Sequence, residues 1–486
     1  MQNKIVKSKI LSSLIWKFLE RGGTQGIQFI LQIFLARLLT PNDYGIIALI
    51  TIFIALARVF VQSGFNTALI QGKDINEEDY SSVFYLSMFV ATILYIILFL
   101  TAPIVADFYK VKDLILILRV LSLTLFIGAV TSIQNAIVAR KMQFKKLFLS
   151  SLGAMAISGT IGIIMAYKGY GVWALVYQQL SNQLLITMIL WMTVKWRPKL
   201  CFSFKRIKTL FSYGGKLLAS SLLDTLYKNL RSLIIGKVYS PSILGYYNRG
   251  NQFPQIIVTN INGSITSVLL SAMSAEQEDR FRVKQLMRRA IVTSSFILFP
   301  IMMGLAIISK PLVMLLLTEK WLPCVPFIWV FCGSYSLWPI HTVNLQAINA
   351  LGRSDIFLKL EIIKKILGVV ILVISVKFGV YVIALGMLLS GIISTFINSY
   401  PNKKLLNYSY KEQMVDILPS LLISLIMGAI VYQISYFVRG DLFLIVAQVI
   451  SGGIFYIILA TIFKLECYKY LLSTIKEIFI NKRRSK

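Results

Sequence analysis

"LARLLTPNDYGII" runs from Leu35 to Ile47, and two hundred residues later "IGKVYSPSILGYY" runs from Ile235 to Tyr247. In register, Arg37 meets Lys237, Thr40 meets Ser240, Pro41 meets Pro241 and Gly45 meets Gly245. Each stretch reads as the end of one helix, a Thr/Ser-Pro turn and the glycine-bearing start of the next. "GYGVWAL" from Gly169 matches "GVYVIAL" from Gly379 at an offset of 210. Two matches at nearly equal offsets point to duplication of a unit of about 200 residues.

The chain is 486 residues long and 57% hydrophobic, with a mean hydropathy of +0.74. Soluble domains are about 45–50% apolar, so this composition points to an integral membrane protein. Most of the length falls into apolar runs of about 20 residues, enough for a helix to cross ~30 Å of hydrocarbon. The runs are too long and continuous for the ~10-residue alternating strands of an outer-membrane barrel. The expectation is an all-α integral membrane protein with about fourteen transmembrane helices.

Six spans in each copy is an even number, so both copies keep the same orientation, related by an axis along the membrane normal. This predicts two pseudo-symmetric six-helix bundles, residues 1–200 and 201–402, around a central cavity. Residues 403–466 supply two peripheral C-terminal helices, and 467–486 an amphipathic, basic cytoplasmic tail.

A formal net charge of +30 raises the question of nucleic acid, and the location of the charges answers it. The clusters "ARKMQFKK", "KWRPKLCFSFKRIK", "DRFRVKQLMRR", "PNKKLL" and "NKRRSK" all fall on one predicted side of the membrane. That asymmetry is the positive-inside signal and sets both termini in the cytoplasm. The charge therefore serves topology and contact with anionic lipid; no nucleic-acid partner is expected. The four cysteines form no C-x-x-C pair and the chain has one histidine, so neither a metal site nor a redox site is predicted.

The informative residues are polar ones inside the spans. In "SSLLDTLYKNLRSLIIGK", from Ser220 to Lys237, charges interrupt an otherwise apolar run. At 100° per residue, Lys216, Ser220, Asp224, Lys228 and Arg231 share an arc of about 120°. Glu20, Arg21, Gln25 and Gln28 share an arc of about 140° in the first span, its counterpart in the repeat. The second span adds Arg58, Gln62 and Asn66, the eighth adds Asn248 and Gln252, and the eleventh carries Glu361, Lys364 and Lys365.

Such stripes face lipid at high cost, so they line water or pair with one another. The alternatives are a cargo-lining role, interhelical pairs, or side chains snorkelling from span ends. Bases outnumber acids among them, which suits an anionic ligand rich in phosphate oxygens. The expected substrate-binding set is Arg21, Gln25, Gln28, Arg58, Lys228, Arg231, Asn248 and Gln252. Glu20, Asp224 and Glu361 are the carboxylates available to a coupling ion, and each is equally a partner for a neighbouring base. Trp173, Trp191, Trp196 and Trp321 read as interfacial belt anchors.

"GFNTALIQ", "LIIGKVYSPSILGYYNRGNQFPQ", "LLLTEKWLPCVPF" and "NALGRSDIFLKLE", with the stretches above, resemble successive signatures of bacterial polysaccharide transporters. These are the lipid-linked oligosaccharide flippases of the multidrug/oligosaccharidyl-lipid/polysaccharide exporter superfamily, in the branch of colanic-acid and teichuronic-acid exporters. The resemblance covers nearly the whole chain and is weakest over the last two spans. It implies a twelve-helix core plus two peripheral helices in the bacterial cytoplasmic membrane. It also implies a cargo of glycan repeat units on undecaprenyl diphosphate, moved by alternating access through a cationic cavity.

On that resemblance the protein is a transporter and not an enzyme. It needs no cofactor beyond a coupling H⁺ or Na⁺, and the polysaccharide polymerase and glycosyltransferases of the same pathway are its expected partners. A drug or cation exporter of the same superfamily is the alternative; it calls for a less cationic set of buried groups. A membrane glycosyltransferase or polymerase is more remote, because such enzymes need acid/base groups that the short outer loops scarcely carry.

Overall fold

The computed structural model describes residues 22–62, 64–72 and 74–469, together with Trp16, Leu472 and Ser473. Every regular element among the described residues is helical. By packing, the chain divides into two compact units, Met1–Gly245 and Tyr246–Lys486.

The first unit holds α1 (22–38), α2 (Pro41–Gln62), α3 (Phe65–Gln71), α4 (Glu77–Tyr109), α5 (Leu114–Leu121), α6 (Thr124–Arg140), α7 (Phe144–Tyr167), α8 (Val172–Thr193) and α9 (Phe204–Val238). It also takes in the first turn of α10 (Pro241–Ala275). The second unit continues through α10, α11 (Arg280–Leu317), a 3-10 turn (Glu319–Cys324), α12 (Val325–Ser336), α13 (Trp338–Ala350), α14 (Ser354–Ser375), α15 (Val380–Leu406), α16 (Tyr410–Gln433) and α17 (Asp441–Ile462). α9 falls with the first unit because it packs against α2, α3 and α4.

Ten helical stretches among the described residues are long and apolar enough to cross a membrane. Four of the fourteen expected spans are not among them, for separate reasons. The first is described only from residue 22, and Gln178, Gln179, Asn182 and Gln183 interrupt α8. Charges dilute α9 and α14.

Local chemistry explains where the helices begin. Thr40 caps α2: its backbone N–H donates to Asp43 Oδ2 at 2.9 Å, and the Asp43 N–H returns to Thr40 Oγ1 at 3.3 Å. Ser240 Oγ likewise accepts from the Ile243 N–H at 3.3 Å. Pro41 and Pro241 follow at the first helical position, where a missing N–H costs nothing. Asn76 with Asp79, and Ser409 with Glu412, close further capping boxes on α4 and α16.

The duplicated segments also touch. A Cβ built on Gly45 would lie 1.7 Å from the Pro241 carbonyl oxygen, and one on Gly245 would lie 2.1 Å from that of Pro41. Asn42 and Ser242 approach at 3.5 Å between them. Residue i meets j and its repeat-mate returns the contact, the signature of a local two-fold arrangement. Only glycine permits this approach.

Three expected spans divide, the fourth into α5 and α6, the tenth into α12 and α13, and the second into α2 and α3. The predicted second span, 44–70, breaks at Gly64, whose φ of +84° is left-handed. The cause is tertiary: the Gly214 carbonyl oxygen of α9 lies 2.4 Å from the position a Gly64 Cβ would take.

In the second unit a buried amide cluster ties three helices together. Asn344 Nδ2 donates to Gln413 Oε1 at 2.8 Å, and Gln413 Nε2 donates back to Asn344 Oδ1 at 3.1 Å. Asn402 Nδ2 adds a bond to Asn344 Oδ1 at 2.8 Å. Interhelical polar bonds in membrane proteins contribute about 0.6 kcal/mol each, up to about 1.7. Asn344→Leu should therefore cost about 1–2 kcal/mol and lower the thermal midpoint of the purified protein, without loss of expression.

The last helix is peripheral. α17 buries Gln448, Gly452, Tyr456 and Ala460, one residue per turn, and leaves its other faces exposed. Tyr456 fastens that stripe by donating to the Phe296 carbonyl at 2.7 Å.

Candidate functional site

α9 has 35 residues and a rise of about 52 Å, longer than the ~30 Å of a hydrocarbon core. Two glycines set its orientation. Gly214 lies against Gly64, and Gly236 against Leu49, where an added Cβ would come 2.3 Å from Leu49 Cδ2. The charged stripe is centred about 120° round the helix from that glycine face, so α2 and α3 do not cover it.

Along the stripe Lys216, Ser220 and Lys228 are exposed, and Asp224 and Arg231 are half-buried. Lys228 Nζ pairs with Asp224 Oδ2 at 2.7 Å, one turn apart. The Arg231 guanidinium sits 5.9 Å above the Tyr227 ring. Arg58 is exposed on α2, and among the described residues no ion pair or hydrogen bond joins it to the α9 charges. On α1, Gln25 is half-buried and Gln28 exposed, one turn apart. Glu20 and Arg21 lie outside the described residues.

Two neighbours in the sequence pattern turn out to be ties within the fold. Gln62 turns inward and donates to the Gly128 carbonyl at 3.1 Å. The helix break at Gly64 moves Asn66 onto α3, so the spacing of Arg58, Gln62 and Asn66 is not that of one face.

In the second unit, Asn248 and Gln252 are half-buried on α10. Gln252 Oε1 accepts from Arg249 Nη1 at 2.7 Å. Arg249 is 6% exposed and lies 5.2 Å over the Trp321 ring. The stripe pattern passed over this base, and its signal was its place between Asn248 and Gln252. Trp321 itself is fully buried, so it is a platform for Arg249 and not a belt anchor. On α14, Glu361 pairs with Lys364 at 2.5 Å, again within one turn. His341 lies 3.3 Å from Asn398 Nδ2 through Nδ1 and 3.5 Å from Thr395 Oγ1 through Nε2.

The described site residues thus divide between the units. Arg58, Asp224, Lys228, Arg231, Gln25 and Gln28 belong to the first; Asn248, Arg249, Gln252, Glu361 and Lys364 belong to the second. In both, bases exceed carboxylates, and Asp224 and Glu361 each already hold a lysine. No group of three or more His, Cys, Asp and Glu side chains suited to a metal occurs among the described residues. Chemically, such an array binds and shields anionic oxygens.

A family model described as "Polysaccharide biosynthesis protein" matches residues 34–326. The chain belongs to this polysaccharide biosynthesis protein family. It is 23% identical over 436 residues to the lipopolysaccharide biosynthesis protein WzxC of Escherichia coli strain K12, covering 87% of this chain and 89% of that protein. It is 23% identical over 353 residues to the teichuronic acid biosynthesis protein TuaB of Bacillus subtilis strain 168, covering 72% and 73%. Among solved structures, the lipid II flippase MurJ in an inward closed conformation matches 95% of this chain and 100% of its own, with a TM-score of 0.74 at 17% identity. The family member therefore has the helical transporter fold of that flippase.

Proposed function

We propose that this protein is a flippase that moves undecaprenyl-diphosphate-linked oligosaccharide repeat units across the bacterial cytoplasmic membrane for surface polysaccharide assembly. The observation that carries the proposal is a family member with a flippase fold whose exposed α9 stripe is rich in bases. A diphosphate presents oxygens to which Arg forks and Lys ammonium groups bond strongly.

In this reading Arg21, Arg58, Lys228 and Arg231 draw in the diphosphate, and Gln25, Gln28, Asn248 and Gln252 bond sugar hydroxyls. The prenyl tail stays in lipid while the head group crosses by alternating access through a cationic passage. The 1–200, 201–402 and 403–466 segments act as two bundles and a peripheral pair, with both termini and the 467–486 tail cytoplasmic. The protein makes and breaks no covalent bond. It takes the product of membrane glycosyltransferases and supplies a polymerase.

A cycle of this kind gains direction when an ion binds the two access states differently. H⁺ or Na⁺ at Glu20, Asp224 or Glu361 would do so, at Asp224 and Glu361 by loosening the carboxylate from its lysine. The test is translocation of a fluorescent polyprenyl-diphosphate disaccharide in proteoliposomes. Protein-dependent transfer, accelerated at least about threefold by an imposed proton or sodium gradient, is the expected result. Ethidium efflux without lipid transfer would instead place the chain with the drug exporters, and indifference to both gradients would remove the ion.

A further inference from the structure

The second unit carries a basic cleft that the flippase reading does not use. It opens where α11 begins and α15 ends, with a volume of about 540 Å³. Arg280, Lys284, Arg288 and Lys404 line it, beside Phe281 and Leu406.

Two of the four bases are held in place. Lys284 Nζ donates to the Asn407 carbonyl and pairs with Glu412 at 3.4 Å. Arg288 grips Asp416 in a fork, Nε at 3.0 Å and Nη2 at 2.8 Å, which leaves its Nη1 edge for another acceptor. Asp416 is steadied in turn by Tyr408, which donates to it at 2.6 Å. Burial and that carboxylate push the Tyr408 phenol well above its ordinary value, so it remains a donor.

The other two bases have no carboxylate within ion-pair distance among the described residues. The nearby acids are committed: Glu276 and Asp279 both pair with Arg282, at 3.2 and 3.4 Å. Four cations face Glu412, Asp416 and Glu466, the last 3.9 Å from Arg288 Nη2, which leaves a surplus of one positive charge in a preorganised frame. Phe281, 67% exposed, adds an apolar surface at the mouth. A free phosphate has no use for that surface, whereas a lipid lays its glycerol and first acyl carbons there.

We propose that this cleft binds the phosphate headgroup of an anionic membrane lipid. Arg280 and Lys404 supply the free charges, Arg288 Nη1 and Lys284 fix the phosphate oxygens, and Phe281 receives the acyl side. The lipid is not cargo: none of these residues belongs to the stripes assigned to the oligosaccharide.

The test uses the full-length protein in a neutral detergent, with thermal unfolding and native mass spectrometry as readouts. Phosphatidylglycerol should raise the midpoint by roughly 3–5 °C more than phosphatidylcholine, and remain bound in the mass spectrum. R280Q/K404Q should lose at least half of both signals. Should the pair fold poorly, R280Q and K404Q singly should each lose part of them. K205Q/K208Q removes the same charge from exposed positions on α9 and should keep both. Equal shifts from the two lipids, full retention by the Arg280 and Lys404 variants, equal loss in the α9 control, or an equal shift from inorganic phosphate would each overturn the proposal.

Discussion

Replacing Gly45 with valine is expected to leave less than about a tenth of the folded protein in the membrane. A Cβ at this position would sit 1.7 Å from the Pro241 oxygen and 2.3 Å from its carbonyl carbon, and both atoms are backbone. No rotamer change relieves such an overlap. α10 cannot retreat simply either, because four residues on, Gly245 is itself lodged against the Pro41 carbonyl. Overpacking usually costs about 1–3 kcal/mol; a reciprocal backbone clash at two helix starts lies at or beyond the top of that range. Gly453→Ala is the control. It lies on an exposed face of α17 with nothing within 4 Å, and helix propensity favours the change. The readout is the monodisperse fraction of a fluorescently tagged protein after extraction. Normal accumulation of G45V would mean that the two duplicated segments do not meet as described.

The same pair of segments shows what a sequence can disclose. Thr40-Pro41 and Ser240-Pro241 announce their helix starts because capping and proline placement act within four residues. The offset of 200 discloses duplication, yet contact between the copies requires the fold. Gly64 is the opposite case: glycine in an apolar run is tolerated in a helix, and its left-handed φ follows from the carbonyl of Gly214, 150 positions away. Among other glycines, Gly214 packs on the Gly64 backbone and a Cβ on Gly23 would come 3.2 Å from the Phe148 ring, whereas Gly22 and Gly26 have nothing within 4 Å.

Partners divide along the same line. Asp224 with Lys228 and Glu361 with Lys364 are legible, since residues three or four apart share a helix face. Asn344, Asn402 and Gln413 are not, because their bonds span 58 and 69 positions. Trp321 misleads for a related reason. A tryptophan near a span end suits the interface, and only Arg249 packed on its ring explains its burial. Periodicity assigns a side chain to a face; what that face meets depends on the other helices.

Removing Arg58 and Arg231 together should slow translocation of a polyprenyl-diphosphate oligosaccharide by a hundredfold or more. A hydrogen bond to a charged group contributes about 1.5–3 kcal/mol, so each guanidinium lost from the diphosphate costs roughly ten- to a hundredfold. These two are chosen because no carboxylate pairs with either among the described residues, so their donors are available to cargo. Lys228 is different: its ammonium already lies 2.7 Å from Asp224, and cargo must compete with that carboxylate. Lys228→Ala should therefore slow transport less than Arg231→Ala, and it leaves Asp224 without its lysine. Asp224→Asn in the same chain should recover part of that loss if the unpaired charge is the cause. Initial rates in proteoliposomes, at protein amounts matched by blotting, separate transport from expression. A double variant R58A/R231A within about threefold of the unmodified protein would show that these guanidiniums do not meet the diphosphate, and the basic stripe would then need another purpose.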